Sequence, residues 1–162
     1  MNVIDVATGE IKFTDKEHIL ASHAIGSCIV VTVYDPQKQS GAMAHIMLPG
    51  KAPATKTHDK FKYAHDAINE IMNTMDDGSG RSDHLQVCLV GGGNVLRKTD
   101  DSICRHNINS VKQIIKSKNI AVKAESLGGE QRRTMKLIVE SGKVFFSVGG
   151  AAEKILFDPQ AE

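Results

Sequence analysis

The chain has 162 residues, enough for one domain that buries about two-thirds of its unfolded surface without help from metals or disulfides. Its 41% hydrophobic and 24% charged residues exclude a disordered or collagen-like chain. The 20 basic against 19 acidic side chains, with aromatics at 4% and no Trp, argue against a dedicated nucleic-acid binder or a base-stacking platform.

Strand signals fill the first third. Residues 3–6 and 11–13, with Thr8-Gly9 between them, read as a hairpin, and residues 18–24 as a further strand. Residues 28–34 are β-branched and apolar, the composition of a buried strand. Asp35-Pro36 opens a turn and residues 41–48 return as a strand. Residues 50–57 and 76–83 have loop composition. Between them, Phe61, Ala64, Ile68, Ile71, Met72 and Met75 mark one apolar helical stripe. A strand over 85–90 leads into Gly91-Gly92-Gly93. A second helix carries Ile108, Val111, Ile114 and Ile115 on one face and ends near Lys118-Asn119. Residues 120–125 alternate as a strand, as do Met135, Leu137 and Val139, and Ser141-Gly142 signals a two-residue hairpin loop. Residues 151–156 read as a short helix. Two main helices among many hairpin-linked strands predict an α+β fold, a single domain over 1–162.

No apolar run approaches the ~20 residues of a membrane span. Residues 1–12 carry Asp5 and Glu10 without an apolar stretch, which is not the pattern of a secretory signal. Cys28, Cys88 and Cys104 are odd in number and lack CxxC spacing, so a zinc ribbon is excluded and a reducing cytoplasm is expected. The histidines show no metal-ligand spacing, and no cofactor is expected.

Cys28 follows Gly26-Ser27 and opens an apolar strand, where a thiol is most simply a core residue. His45 adds a second possibility. With a two-residue loop at Pro36-Gln37, Val30 faces Met43 and Cys28 faces His45, with Cβ atoms about 4.5–5.5 Å apart. An imidazole there can take the thiol proton, and the thiolate can then attack an amide or ester carbonyl. The Gly26-Ser27 turn could aim backbone N–H groups at the oxyanion.

Residues 25–31, Tyr34-Asp35-Pro36 and residues 41–49 resemble the chemoreceptor glutamine deamidases of bacterial chemotaxis, the CheD family. The similarity continues through residues 62–68, Gly91-Gly92-Gly93-Asn94, residues 107–115, residues 124–129 and residues 140–143. The resemblance implies packed mixed β-sheets flanked by helices, akin to toxin deamidases. It implies a cysteine hydrolase that converts receptor glutamines to glutamate, with some methylesterase activity on the same chemistry. The family nucleophile falls on Cys28, its histidine on His45, and its third residue, a threonine, on Ser22. His23, beside Ser22, has no implied role. The implied partners are methyl-accepting chemotaxis receptors and a CheC-type phosphatase, with no membrane insertion. The alternative is a catalytically weak module that binds receptors or the phosphatase.

Other features carry less. The Gly91-Gly92-Gly93 block lacks GxGxxG spacing and reads as a close backbone turn rather than a phosphate cradle. Cys88 reads as core. Cys104 beside Arg105 and His106 is a second candidate thiol, with its pKa expected to be lowered. Arg132-Arg133 reads as a solvated turn that could meet an acidic receptor surface.

Overall fold

The computed structural model describes residues 1–161; Glu162, the last position of the expected domain, lies outside the described residues. The strands are β1 (Asn2–Asp5), β2 (Ile11–Asp15), β3 (His18–Ile25), β4 (Ile29–Asp35), β5 (Ser40–Ile46), β6 (Gln86–Gly91), β7 (Val122–Leu127), β8 (Arg133–Ile138), β9 (Lys143–Val148) and β10 (Lys154–Phe157). The helices are α1 (Ala64–Met75) and α2 (Ser102–Ser117), with 3-10 turns at Thr57–Lys62 and Pro159–Ala161. One mixed sheet runs β1-β3-β8-β9-β10 and the other β2-β5-β4-β6-β7. The fold is α+β, as expected.

Side-chain alternation along β4 and β5 builds two cores. Ile29, Val31, Val33, Ala42, Ala44 and Ile46 join Ile68, Ile71, Val111 and Ile115 beneath the helices. Val30, Tyr34 and Met43 point the other way and meet Leu20, Met135 and Leu137 of the first sheet. The layers are therefore sheet, sheet and helices, and the central sheet is buried on both faces; β4 is buried along its whole length.

Five expectations change. The strands around Thr8-Gly9 do not form a hairpin: β1 pairs in parallel with β3, and β2 pairs antiparallel with β5. Gly9, at φ +82°, turns the chain from one sheet to the other, and its N–H donates to the His45 carbonyl at 2.8 Å. Residues 154–157 form an edge strand on β9 rather than a helix. The loop between β4 and β5 spans four residues, since Asp35 pairs with Ser40. Asp35 is the reason: its carboxylate accepts the Gln37 and Lys38 N–H groups at 2.9 and 3.2 Å, building a longer turn that Gln39 closes at φ +47°. The β8–β9 connection likewise spans four residues, with Ile138 paired to Lys143. Phe61 lies in the 3-10 turn before α1 rather than in the helix.

Candidate active site

The longer turn moves the β4–β5 register by two residues. Val30, not Cys28, pairs with His45, and Thr32 pairs with Met43. A shift of two keeps every side chain on its expected face, so His45 points to the first sheet as the alternation requires. Cys28 sits just before β4, diagonal to His45 along the strands. For such a diagonal pair the separation is about 7–8 Å in a regular ladder, against 4.5–5.5 Å for an opposed one.

His45 is 4% exposed and Ser22 1%. Ser22 Oγ lies 2.8 Å from His45 Nδ1 and donates to the Val6 carbonyl at 2.7 Å. A hydroxyl has one proton, so towards the ring Ser22 accepts and Nδ1 carries the hydrogen. Nε2 is left as the basic nitrogen, in a recess it shares with Thr8, whose Oγ1 is 3.5 Å away. Burial pushes the His45 pKa down, with the Val6 carbonyl acting in the other direction.

Cys28 is partly exposed and lines a separate cleft of about 290 Å³ with Gly26, Asn94, Leu96, Ile103 and Arg132. Burial raises its thiol pKa, opposed by its own backbone N–H. Among the described residues no hydrogen bond joins the Cys28 thiol to His45. The structure thus brings Ser22 and His45 together and leaves Cys28 adjacent in the fold but unpaired. His23 is exposed and lies 3.4 Å from Asp5 at the surface. A β-bulge follows Ser22, with Ala24 at φ +52° on the rim of the Cys28 cleft.

The glycine block is the expected close turn. The Gly92 N–H donates to the Cys28 carbonyl and the Gly93 N–H to the Gly26 carbonyl, both at 2.9 Å. A Cβ on Gly91, at φ +133°, would lie 2.1 Å from the Cys28 carbonyl oxygen. These contacts fix the backbone on which the thiol is mounted.

Cys88 is buried and its thiol pKa is pushed up to about 12, mainly by burial. Cys104 is 5% exposed, and burial and then Asp101 raise its pKa, the opposite of the shift expected from Arg105 and His106. Arg133 is not a solvated turn residue: it is 7% exposed. Its Nη1 donates to the carbonyls of Gly128 at 2.6 Å and Gly91 at 3.4 Å, and its Nε to Ser126 at 3.0 Å. Arg132 does remain exposed, on the rim of the Cys28 cleft. Sequence reading also passed over Asn107, a fully buried side chain on α2. Its signal is a polar residue on the stripe Cys104, Asn107, Val111, Ile115.

A family model described as CheD chemotactic sensory transduction matches residues 47–148. The chain is 34% identical over 151 residues to a probable chemoreceptor glutamine deamidase CheD of Chlorobium luteolum, covering 93% of this chain and 75% of that relative. It is 27% identical over 150 residues to the chemoreceptor glutamine deamidase CheD of Thermotoga maritima, covering 93% and 94%. A probable chemoreceptor glutamine deamidase CheD of Methanococcus maripaludis is 32% identical over 133 residues, covering 81% and 86%. Among solved structures, hypothetical protein YfiH of Bacillus licheniformis matches with a TM-score of 0.44 and 13% identity, over 75% of this chain and 50% of that one, a likeness too distant to bear on the chemistry.

Proposed function

The chain belongs to the CheD family, and from that membership we propose that it deamidates glutamine side chains of chemotaxis receptors, using Cys28 as nucleophile, His45 as base and Ser22 as the residue that orients His45. The observation that carries the reading is the Val6–Ser22–His45 relay, which leaves Nε2 of a neutral imidazole unprotonated. Nε2 takes the Cys28 thiol proton as sulfur attacks the amide carbon. That proton passes to the leaving ammonia, and a thioester remains. Water, giving a proton to the same nitrogen, then cleaves the thioester to glutamate and restores the thiol. A glutamyl methyl ester would react along the same path with methanol leaving.

Cys28 must turn towards His45 for the first step. Proton-transfer contacts are often long in a free enzyme and tighten when substrate fills the cleft. The activity is housed in one domain over 1–162, acts where thiols stay reduced, in the cytoplasm, and meets receptors as substrates; a CheC-type phosphatase is a further partner.

Mass spectrometry of a receptor fragment incubated with the protein tests this. The expected result is a gain of about 1 Da per glutamine, an amine replaced by a hydroxyl, that disappears with Cys28→Ala and falls ~10²-fold or more with His45→Ala. A gain that persists in Cys28→Ala overturns the assignment. No gain, with equally slow iodoacetamide labelling of Cys28 and Cys88 and intact partner binding, would identify a binding module instead.

A further inference from the structure

The ladder between β4 and β5 ends at the pair Ile29–Ile46. Beyond it, the chain runs back through Cys28 to Ser27 on one side and on to Met47 on the other. The Asn107 amide of α2 spans the gap. Its Nδ2 donates to the Ser27 carbonyl at 2.9 Å and to the Met47 carbonyl at 3.0 Å. The reverse orientation would set Oδ1 against two carbonyl oxygens, so the amide is fixed as found. Oδ1 itself is buried without a partner among the described residues.

A fully buried amide with an unsatisfied oxygen is a costly choice for a helix stripe otherwise formed by Cys104, Val111 and Ile115. What it supplies is a rung where the sheet has none. One carbonyl it holds is bonded directly to Cys28, and the other lies two residues beyond His45. The N–H of Met47 is held separately, by the Lys62 carbonyl at 2.8 Å, and the Asn107 amide ties this strand end to the Cys28 loop.

We propose that Asn107 is a positioning residue that sets the approach of the Cys28 thiol to His45 by clamping the backbone on both sides of the pair. The proposal rests on the Cys28–His45 reading above. Without the clamp the two strand ends splay, and the thiol loses its proton acceptor while the cleft keeps its lining.

The test is a double-mutant cycle read by the rate of Cys28 alkylation with iodoacetamide at neutral pH, followed by peptide mass spectrometry. Asn107→Ala is expected to slow alkylation about tenfold in the otherwise unaltered protein and less than about twofold in His45→Ala, because the two changes remove the same interaction. With a receptor fragment as substrate, kcat should fall while KM stays within about twofold. If Asn107→Ala does not fold, Asn107→Ser, which keeps one donor, enters the same cycle. Ile71→Val serves as a core variant of lowered stability and should leave the alkylation rate unchanged. An unchanged rate in the Asn107 variant, an equal slowing in both backgrounds, or a slowing matched by Ile71→Val overturns the positioning role. A His45→Ala protein that alkylates at the full rate overturns the dyad itself and, with it, this proposal.

Discussion

Burial acts in opposite directions on the two titrating groups proposed to work together. It lifts the Cys28 thiol and lowers the His45 ring, so at neutral pH both rest uncharged and the imidazole is free to accept a proton. His45 gains its own proton only below the ordinary imidazole value of about 6.5. The acid limb of kcat/KM and of Cys28 alkylation should therefore lie below about pH 6.5 and vanish in His45→Ala; a limb centred above that value would contradict the burial argument. Stability follows the same sign. The unfolded chain takes up the proton near 6.5 and the folded chain only lower, so melting temperature should fall as pH drops from about 6.5 through the folded value. Ser22 provides the companion prediction. Ser22→Ala leaves both the Val6 carbonyl and His45 Nδ1 without a buried partner, at a cost of about 1–3 kcal/mol by denaturant melts, and slows Cys28 alkylation. Ser22→Thr keeps the hydroxyl and should keep the rate.

At the scale of elements, the site depends on how tightly β6 lies against the start of β4. Gly91→Ala must move either the Cys28 carbonyl or the sheet, since the added carbon would sit 2.1 Å from that oxygen at φ +133°. The expected loss is about 3 kcal/mol or more, with Cys28 reactivity reduced in the fraction that still folds. This scale also separates what sequence reading could reach from what it could not. β4 and β5 were legible from their β-branched and apolar runs, because both faces of the central sheet are buried. Their register was not, because it turns on one carboxylate: Asp35 capping two backbone amides adds two residues to the loop. The face of His45 is unchanged by the two-residue shift because strands repeat every two residues. β10 carries no local strand signal; residues 154–157 are extended because β9 offers them an edge.

For the whole molecule, the two sheets must stay in fixed relation, since Ser22 comes from one and His45 from the other. Arg133 is a fastening between them. Rooted in β8, it donates to carbonyls of Gly91 and Gly128 beside the second sheet without a carboxylate partner among the described residues. Arg133→Met should fill much of its space and leave the Gly128 carbonyl bare, while the Gly91 carbonyl keeps the Gly128 N–H at 2.9 Å. A loss of about 2 kcal/mol, or roughly 4–8 °C in melting temperature by calorimetry, is expected. A change under about 1 °C would mean the Gly128 carbonyl finds another donor. Contacts of this kind leave little trace in sequence. Cys28 and His45 stand out by residue type, whereas Ser22 emerged only from the family resemblance, and the Val6 carbonyl that completes the relay belongs to a backbone whose pairing with β3 no local pattern announced.

That last dependence ties the proposed base to the edge of a sheet. β1 has a single neighbour and an exposed Val3, and strands at a sheet edge detach at far lower free energy than central ones. Were residues 2–6 to lift from β3, the Ser22 hydroxyl would lose the Val6 acceptor and could rotate to offer its own proton to the ring. The ring hydrogen could then move from Nδ1 to Nε2, and the nitrogen proposed as the base would carry a hydrogen instead of a lone pair. Under the proposed chemistry, residues 2–6, remote in sequence from Cys28 and His45, would thereby bear on which ring nitrogen is free to accept a proton.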